Sequence, residues 1–152
     1  MGMLFVGRRL SGDELRAVRE DAAVVPSLFI EAPELDLDKA WHGIHFLLTG
    51  SAWEVGEGAG AAILGGEPIG PEVGQGPARL LGPELVRAVA DGLAAIDAGT
   101  LRERFDPAAM AEIYPSVWDE DFDTYLAPYF AALREFYRLA AAEGQAVLVA
   151  VT

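Results

Sequence analysis

One segment of the chain carries most of the information about the fold: Asp38-Lys39-Ala40-Trp41-His42-Gly43-Ile44-His45-Phe46-Leu47-Leu48-Thr49-Gly50. Its apolar residues recur three and four positions apart, which is the spacing of one buried face of an α-helix. Asp36 or Asp38 is placed to cap the start of this helix, and Gly50 is placed to end it. The pattern therefore predicts a core-facing helix over residues 37–49. Its apolar stripe consists of Leu37, Ala40, Trp41, Ile44, Leu47 and Leu48.

The two histidines of the chain, His42 and His45, both belong to this helix. A separation of three residues places both imidazoles on one side of the helix, roughly 60° apart around its axis. Gly43 between them is a poor helix former, and a glycine at such a position usually allows another backbone or a ligand to approach closely. Asp38 precedes His42 by one turn, so we expect its carboxylate to bind the second imidazole nitrogen and fix the tautomer.

Three hypotheses compete for the histidine pair. As a metal site it lacks the glutamate of His-Glu-x-x-His and needs a third ligand from elsewhere, so we expect no metal and no cofactor. As a general acid or base, one histidine with a pKa near 7 suits hydrolysis or proton transfer. The third hypothesis is structural: the imidazoles hydrogen-bond loops that cross the helix and do nothing further.

Both ends of the chain are predicted to form strands. Met3–Arg9 is apolar and favours β-structure, and Gln145–Thr152 is apolar on both faces, which indicates a central strand. Helical patterns fill much of the sequence between them. The prediction is an α+β fold: one compact domain over residues 1–152, with several helices packed on a small mixed sheet that includes both terminal strands.

The helices are predicted from their ends and their apolar stripes. Ser11–Glu14 is a capping box that starts a helix, and Thr100–Glu103 is read as another. Pro83 opens a helix that runs to about residue 98. Asp119–Glu143 is predicted as one long helix, which Pro128 bends or splits. Its stripe consists of Leu126, Phe130, Leu133, Tyr137 and Ala140.

Between Gly50 and Gly82 glycine and proline interrupt the chain repeatedly, which is typical of a functional loop. The run Gly74-Gln75-Gly76-Pro77-Ala78-Arg79 begins like a phosphate-binding loop, but Arg79 stands where the third glycine belongs. Arg79 is suited to clamp a carboxylate or a phosphate with its guanidinium fork. The alternative is that it pairs with one of the chain's many acidic groups.

Aromatic residues gather in the last third of the sequence. Tyr114-Pro115 and Trp118 form a compact apolar corner with a hydroxyl and an indole N–H. Core packing with satisfied polar tips accounts for most of this set. The alternative is that Tyr114 faces a ligand.

The composition excludes several classes of function. The 152 residues contain no cysteine, which rules out disulfides, thiolate nucleophiles and iron–sulfur clusters. The formal charge is −13, which disfavours nucleic acid and anionic lipid as partners. The longest apolar runs have the length of a strand and not of a membrane helix, and no signal-peptide pattern opens the chain. We therefore expect a cytoplasmic location.

Several of these strings together resemble a known family. They are the segment 38–50, Gly65-Gly66, the run 74–81 and Ile113-Tyr114-Pro115 with Trp118. In this combination the chain closely resembles the DUF1877 family, over essentially its whole length. The resemblance implies a compact α/β fold and no established reaction, since the family is named for its unknown function.

Two functions from different classes follow as hypotheses. The first is a pocket for a small polar ligand between the His42/His45 face and the glycine-rich segment 65–79. The second is an acidic protein that binds a basic protein partner, of the inhibitor or immunity type, without catalysis. The residues expected to line the pocket are Asp38, His42, His45, Arg79 and Tyr114.

Overall fold

The computed structural model describes residues 2–31, 33–118 and 122–152 of the chain. The α-helices are α1 (Gly12–Glu20), α2 (Val25–Glu31), α3 (Trp41–Thr49), α4 (Pro83–Ala94), α5 (Ala98–Arg104) and α6 (Ala127–Ala142). The strands are β1 (Phe5–Leu10), β2 (Leu35–Asp38), β3 (Glu67–Glu72), β4 (Pro77–Leu81) and β5 (Ala146–Val151). Short 3-10 turns lie at Ala22–Val24 and Gly58–Ala61, and a π-helical turn lies at Phe122–Leu126. None of the helices in these ranges is long and apolar enough to cross a membrane.

The strands form one sheet in the order β2-β1-β5-β4-β3. The terminal strands are neighbours, paired from Phe5 opposite Val151 to Leu10 opposite Ala146. The α+β class, the two terminal strands and the central position of β5 are thereby confirmed. The expectation of a mixed sheet is wrong, because every pairing among the described strands is antiparallel. An antiparallel sheet covered by helices on both faces accounts for an apolar β5 without any parallel neighbour.

Alternation along the strands divides the core between the two faces of the sheet. On one face Phe5, Leu81 and Val149 belong to a large apolar cluster with residues of α3, α4, α5 and α6. On the other face Leu80 and Leu148 belong to a smaller cluster with residues of α1 and α2. The period of two that sends successive side chains to opposite faces therefore produces three layers, helices–sheet–helices.

The histidine helix begins later than the sequence predicts. Residues 35–38 form strand β2, in which Leu35 and Leu37 are buried and Asp36 is exposed. This alternation, together with pairing to β1, outweighs the helical reading of Leu37. As a result neither aspartate caps α3, and the helix starts after Ala40 without a side-chain cap. The end at Gly50 is confirmed, with a left-handed φ of 76° that glycine adopts without strain.

Two other predicted helices differ in part from the described structure. Asp97 caps α5 by accepting from the backbone N–H of Thr100, so Thr100–Glu103 is not a capping box. Residues 119–121 of the predicted long helix lie outside the described ranges. From Phe122 onward a π-helical turn precedes α6, and Pro128 sits in the first turn of α6, where a missing N–H costs little. The predicted stripe of this helix is buried, as expected.

The glycine-rich segment is more regular than expected. It contains two strands: β4 and, before it, β3, which has Pro68 and Pro71 inside it. β3 lies at the edge of the sheet, where a strand tolerates prolines because its outer N–H groups have no strand to bind. Because proline within a segment argues against a strand, β3 is not predicted from the sequence.

Candidate functional site

His42 is buried and uses both of its ring nitrogens. Its Nε2 lies 2.8 Å from the carbonyl oxygen of Ala52, and its Nδ1 accepts the backbone N–H of Tyr114 at 2.9 Å. A carbonyl can only accept, so Nε2 carries the proton and the ring is the neutral Nε2–H tautomer. Burial lowers the pKa of His42. These contacts leave His42 no free nitrogen for a ligand in this arrangement.

His45 is fully buried one turn further along α3. Its Nε2 lies 3.0 Å from the carbonyl oxygen of Glu54, which again places the proton on Nε2. Its Nδ1 is buried with no hydrogen-bond partner among the described residues. Burial lowers the pKa of His45 to about 4, so the ring is neutral near pH 7. The two histidines thus hold the segment after Gly50 against α3.

Asp38 does not bind His42, and that prediction is wrong. Its carboxylate accepts the hydroxyl of Tyr125 at 2.7 Å, and the same hydroxyl accepts the backbone N–H of Lys39 at 3.1 Å. The cause is the strand β2: Asp38 closes a strand and not the turn before the helix, and its backbone has a φ of 51°. The carboxylate therefore faces the turn that precedes α6.

Gly43 allows a close approach, as its position predicts. The group that approaches it is a side chain and not a backbone or a ligand. A Cβ added at Gly43 would lie 2.6 Å from Cη2 of Trp118. The indole of Trp118 is anchored by a hydrogen bond from Nε1 to the carbonyl of Ile113 at 2.9 Å. The glycine is therefore accounted for by packing between α3 and the segment before residue 119.

Tyr114 ties the histidine helix to the start of the chain. Its hydroxyl accepts the backbone N–H of Met3 at 2.8 Å, while its own N–H binds His42. The indole of Trp41 donates to the carbonyl of Met3 at 3.0 Å, and its ring stacks on that of Tyr114 with centroids 6.0 Å apart. Met3 is thus held from two sides by residues that pack on α3.

The segment from Ser51 to Glu54 presents an exposed tryptophan. The hydroxyl of Ser51 accepts the backbone N–H groups of Trp53 and Glu54, which folds the segment into a tight turn. The ring of Trp53 packs on His42 with centroids 4.5 Å apart, yet 64% of this residue is exposed. The two histidines therefore lie behind the segment 51–54, which we call the wall, and the exposed ring of Trp53 forms the outer surface of this wall.

A cleft of about 330 Å³ opens beside this wall. Arg79 extends into it from β4 and is half-buried, with one hydrogen bond from Nη1 to the carbonyl of Gly66 at 3.3 Å. Within the described ranges no acidic oxygen lies within 4.0 Å of its guanidinium, so the expected pairing with an acidic group is not found. The lining residues are Met3, Phe5, Trp41, Trp53, Val55, Ile63, Leu64, Gln75, Pro77, Arg79, Val149, Ala150 and Val151.

The structure separates the five predicted site residues. Arg79 lines the cleft; His42, His45 and Tyr114 support its wall from behind; Asp38 lies apart, against Tyr125. The tryptophans Trp41 and Trp53 were not among the predicted site residues. An exposed tryptophan looks like any other in a sequence, so no local signal identifies Trp53. In the described part of the chain, no three histidine, aspartate or glutamate side chains come together in a way that could hold a metal ion.

Comparison with known proteins agrees with this fold. The chain is similar to the crystal structure of YfbM from Escherichia coli, a protein of unknown function, with a TM-score of 0.77 and 22% sequence identity. The match covers 99% of this chain and 100% of that chain, and at this identity it establishes the fold alone. No curated protein matches the sequence. The model of the family described as "Domain of unknown function (DUF1877)" matches residues 1–150, and the chain therefore belongs to the DUF1877 family.

Proposed function

We propose that this chain binds a small organic molecule in the cleft around Arg79. The observation that carries the proposal is a half-buried arginine that pairs with no acidic side chain of the described residues and is surrounded by aromatic and aliphatic side chains. Ligand sites in proteins are typically concave, of about 300–1,000 Å³, and mainly apolar, with a few polar groups that orient the ligand. The cleft fits this description. The proposal assigns binding and no reaction.

The predicted site residues take different parts in this proposal. Arg79 contacts the ligand directly. His42 and His45 hold the segment that carries Trp53, and Tyr114 holds Met3, which also lines the cleft. They keep the wall in place and touch no ligand. The site thus lies between the histidine helix and the glycine-rich segment, with the imidazoles behind its surface.

The test is a thermal-shift screen of the full chain against small molecules that cover anions, cations and neutral compounds. We expect at least one class to raise the melting temperature, and ¹⁵N-resolved NMR to map the shifts onto the residues that line the cleft. Val151→Phe fills part of the cleft from β5 and should remove the effect. A screen without any hit in the three charge classes, or hits that map elsewhere and survive Val151→Phe, would contradict the proposal.

The alternative of an acidic partner-binding protein continues to rest on the formal charge of −13. A pull-down at low and at high salt addresses it, because an electrostatic complex weakens as salt rises. Failure to recover a basic partner at low salt counts against it.

A further inference from the structure

The charge of the cleft differs from that of the chain as a whole. Among the described residues that line the cleft, the guanidinium of Arg79 is the one charged group, and none of them is an aspartate or a glutamate. The whole chain has 24 acidic and 11 basic residues. A cleft lined by a cation and by no carboxylate favours an anionic ligand, because the negative charge of the ligand pairs with the guanidinium.

Arg79 stands where the apolar core of the sheet ends. On β4 it lies opposite Val149 of β5 and Pro68 of β3, and Leu81, two residues along on the same face, is fully buried. The hydrogen bond to Gly66, at 3.3 Å, is long for an N–H···O contact and occupies one corner of the guanidinium. The remaining N–H groups form a planar fork whose geometry matches the two oxygens of a carboxylate.

Two indole rings line the same cleft as Arg79. Trp41 lines the cleft but is only 2% exposed, and its N–H is already bound to the carbonyl of Met3, so it presents a ligand with no free hydrogen-bond donor. The ring of Trp53 lies with its centroid 6.5 Å from that of Trp41, tilted by 51°, and is largely exposed. A planar apolar group placed here removes exposed indole surface from water, which is favourable.

We propose that the cleft selects a small monocarboxylate with a flat, apolar body, an inference that rests on the function proposed above. The carboxylate accepts hydrogen bonds from the guanidinium of Arg79, and the body lies against Trp41 and Trp53. One guanidinium balances one negative charge. A dianion such as a phosphate monoester leaves a charge without a partner beside an apolar wall, which is costly.

The test uses isothermal titration calorimetry of the full chain with four probes that share a phenyl ring. Phenylacetate carries one negative charge and phenylacetamide is neutral. 2-Phenylethylamine carries one positive charge, and phenyl phosphate carries two negative charges. We expect phenylacetate to bind at least about tenfold more tightly than each of the others, as charge-assisted hydrogen bonds require.

Three variants assign this preference to Arg79. Arg79→Gln should weaken phenylacetate about tenfold or more while phenylacetamide changes by less than about twofold. Arg79→Lys keeps the charge without the fork and should give an intermediate loss. Arg87→Gln is the matched control: it removes one positive charge from an exposed position on α4, outside the cleft, and should leave all four affinities unchanged.

The outcomes separate this inference from the function on which it rests. If acid and amide bind equally to the natural chain and both are lost in Val151→Phe, the cleft is a ligand site but the charge preference is wrong. If phenyl phosphate binds most tightly, or if Arg87→Gln weakens phenylacetate as much as Arg79→Gln does, the inference is also wrong. If none of the phenyl probes binds, the ligand class is overturned, and the general screen alone decides whether the cleft binds anything.

Discussion

The backbone N–H of Tyr114 donates to Nδ1 of His42 at 2.9 Å, across 72 positions of sequence. With Nε2 bound to the carbonyl of Ala52, 10 positions further on, the imidazole joins α3 to the segment that follows it and to the distant segment of Tyr114. Protonation of His42 would put a hydrogen on Nδ1 facing the N–H of Tyr114, so the structure requires the neutral ring. The pair of histidines is therefore built into the packing of the segments that border the cleft.

The first prediction concerns acid. The ordinary pKa of histidine is 6.5, whereas burial lowers the pKa of His45 to about 4 in the folded chain. Between these values the unfolded chain binds a proton that the folded chain does not, so the free energy of unfolding falls as the pH falls. We expect His45 to contribute a loss of about 2 kcal/mol between pH 6.5 and 4.

Urea unfolding of the natural chain and of His45→Gln at several pH values measures this loss. Glutamine can still donate to the carbonyl of Glu54 but does not titrate, so its unfolding free energy should depend less on pH in this interval. Equal pH dependence of the two proteins would show that His45 does not titrate as described.

The second prediction concerns the contact between Gly43 and Trp118. Gly43→Ala places a methyl group 2.6 Å from a buried and hydrogen-bonded indole, and we expect a net loss of about 1–3 kcal/mol despite the better helix propensity of alanine. In the background of Trp118→Phe the same substitution should cost less, because the second ring of the indole is gone. Gly12→Ala, which adds a methyl group in open space, is the control and should be near neutral. Additive effects in the double-mutant cycle would rule out the contact as the cause.

The third prediction separates two roles for Tyr114. Tyr114→Phe removes the acceptor for the backbone N–H of Met3 and should lower stability by about 0.5–1.5 kcal/mol. Tyr129→Phe, whose hydroxyl makes no hydrogen bond within the described residues, should change it less. If Tyr114 supports the wall alone, the preference for phenylacetate over phenylacetamide survives the substitution. Loss of that preference with unchanged stability would place Tyr114 in contact with the ligand.

The fourth prediction concerns alkali. Burial raises the pKa of Tyr137, whose hydroxyl donates to the carbonyl of Ala62 at 2.6 Å. Burial and the carboxylate of Asp38 raise the pKa of Tyr125. Because the pKa of each phenol is higher in the folded chain than its ordinary value of 10.0, both groups stabilise the folded chain fully below pH 10.0. This contribution to the free energy of unfolding is lost as the pH rises above that value.

Phenolate absorbance against pH tests this prediction. Tyr137 and Tyr125 should ionise only as the chain unfolds, at the pH at which the folded circular-dichroism signal is lost. Tyr137→Phe should remove part of this cooperative rise in phenolate absorbance. Gradual ionisation of all tyrosines while the chain stays folded would contradict the buried positions.

Features that depend on neighbouring residues could be predicted from the sequence. The capping box of Ser11 with Glu14, the left-handed end of α3 at Gly50 and the apolar stripe of α6 are short-range patterns, and each is confirmed. The central position of β5 also followed from its apolar character on both faces. In all of these the deciding pattern lies within a few neighbouring residues or within one element.

Features that depend on distant contacts were decided by the tertiary structure. Leu35–Asp38 is a strand because β1 pairs with it, and this pairing moves Asp38 from His42 to Tyr125. The indole that fills the space beside Gly43 belongs to Trp118, which is distant from Gly43 in sequence. Whether Arg79 meets an acidic group or an open cleft depends on which side chains the sheet and α3 bring to it, and spacing along the chain does not encode that. The histidine helix was recognisable from its own residues, but the partners of His42 and His45 were not, since hydrogen bonds to Ala52, Glu54 and Tyr114 form only when the separate segments pack together.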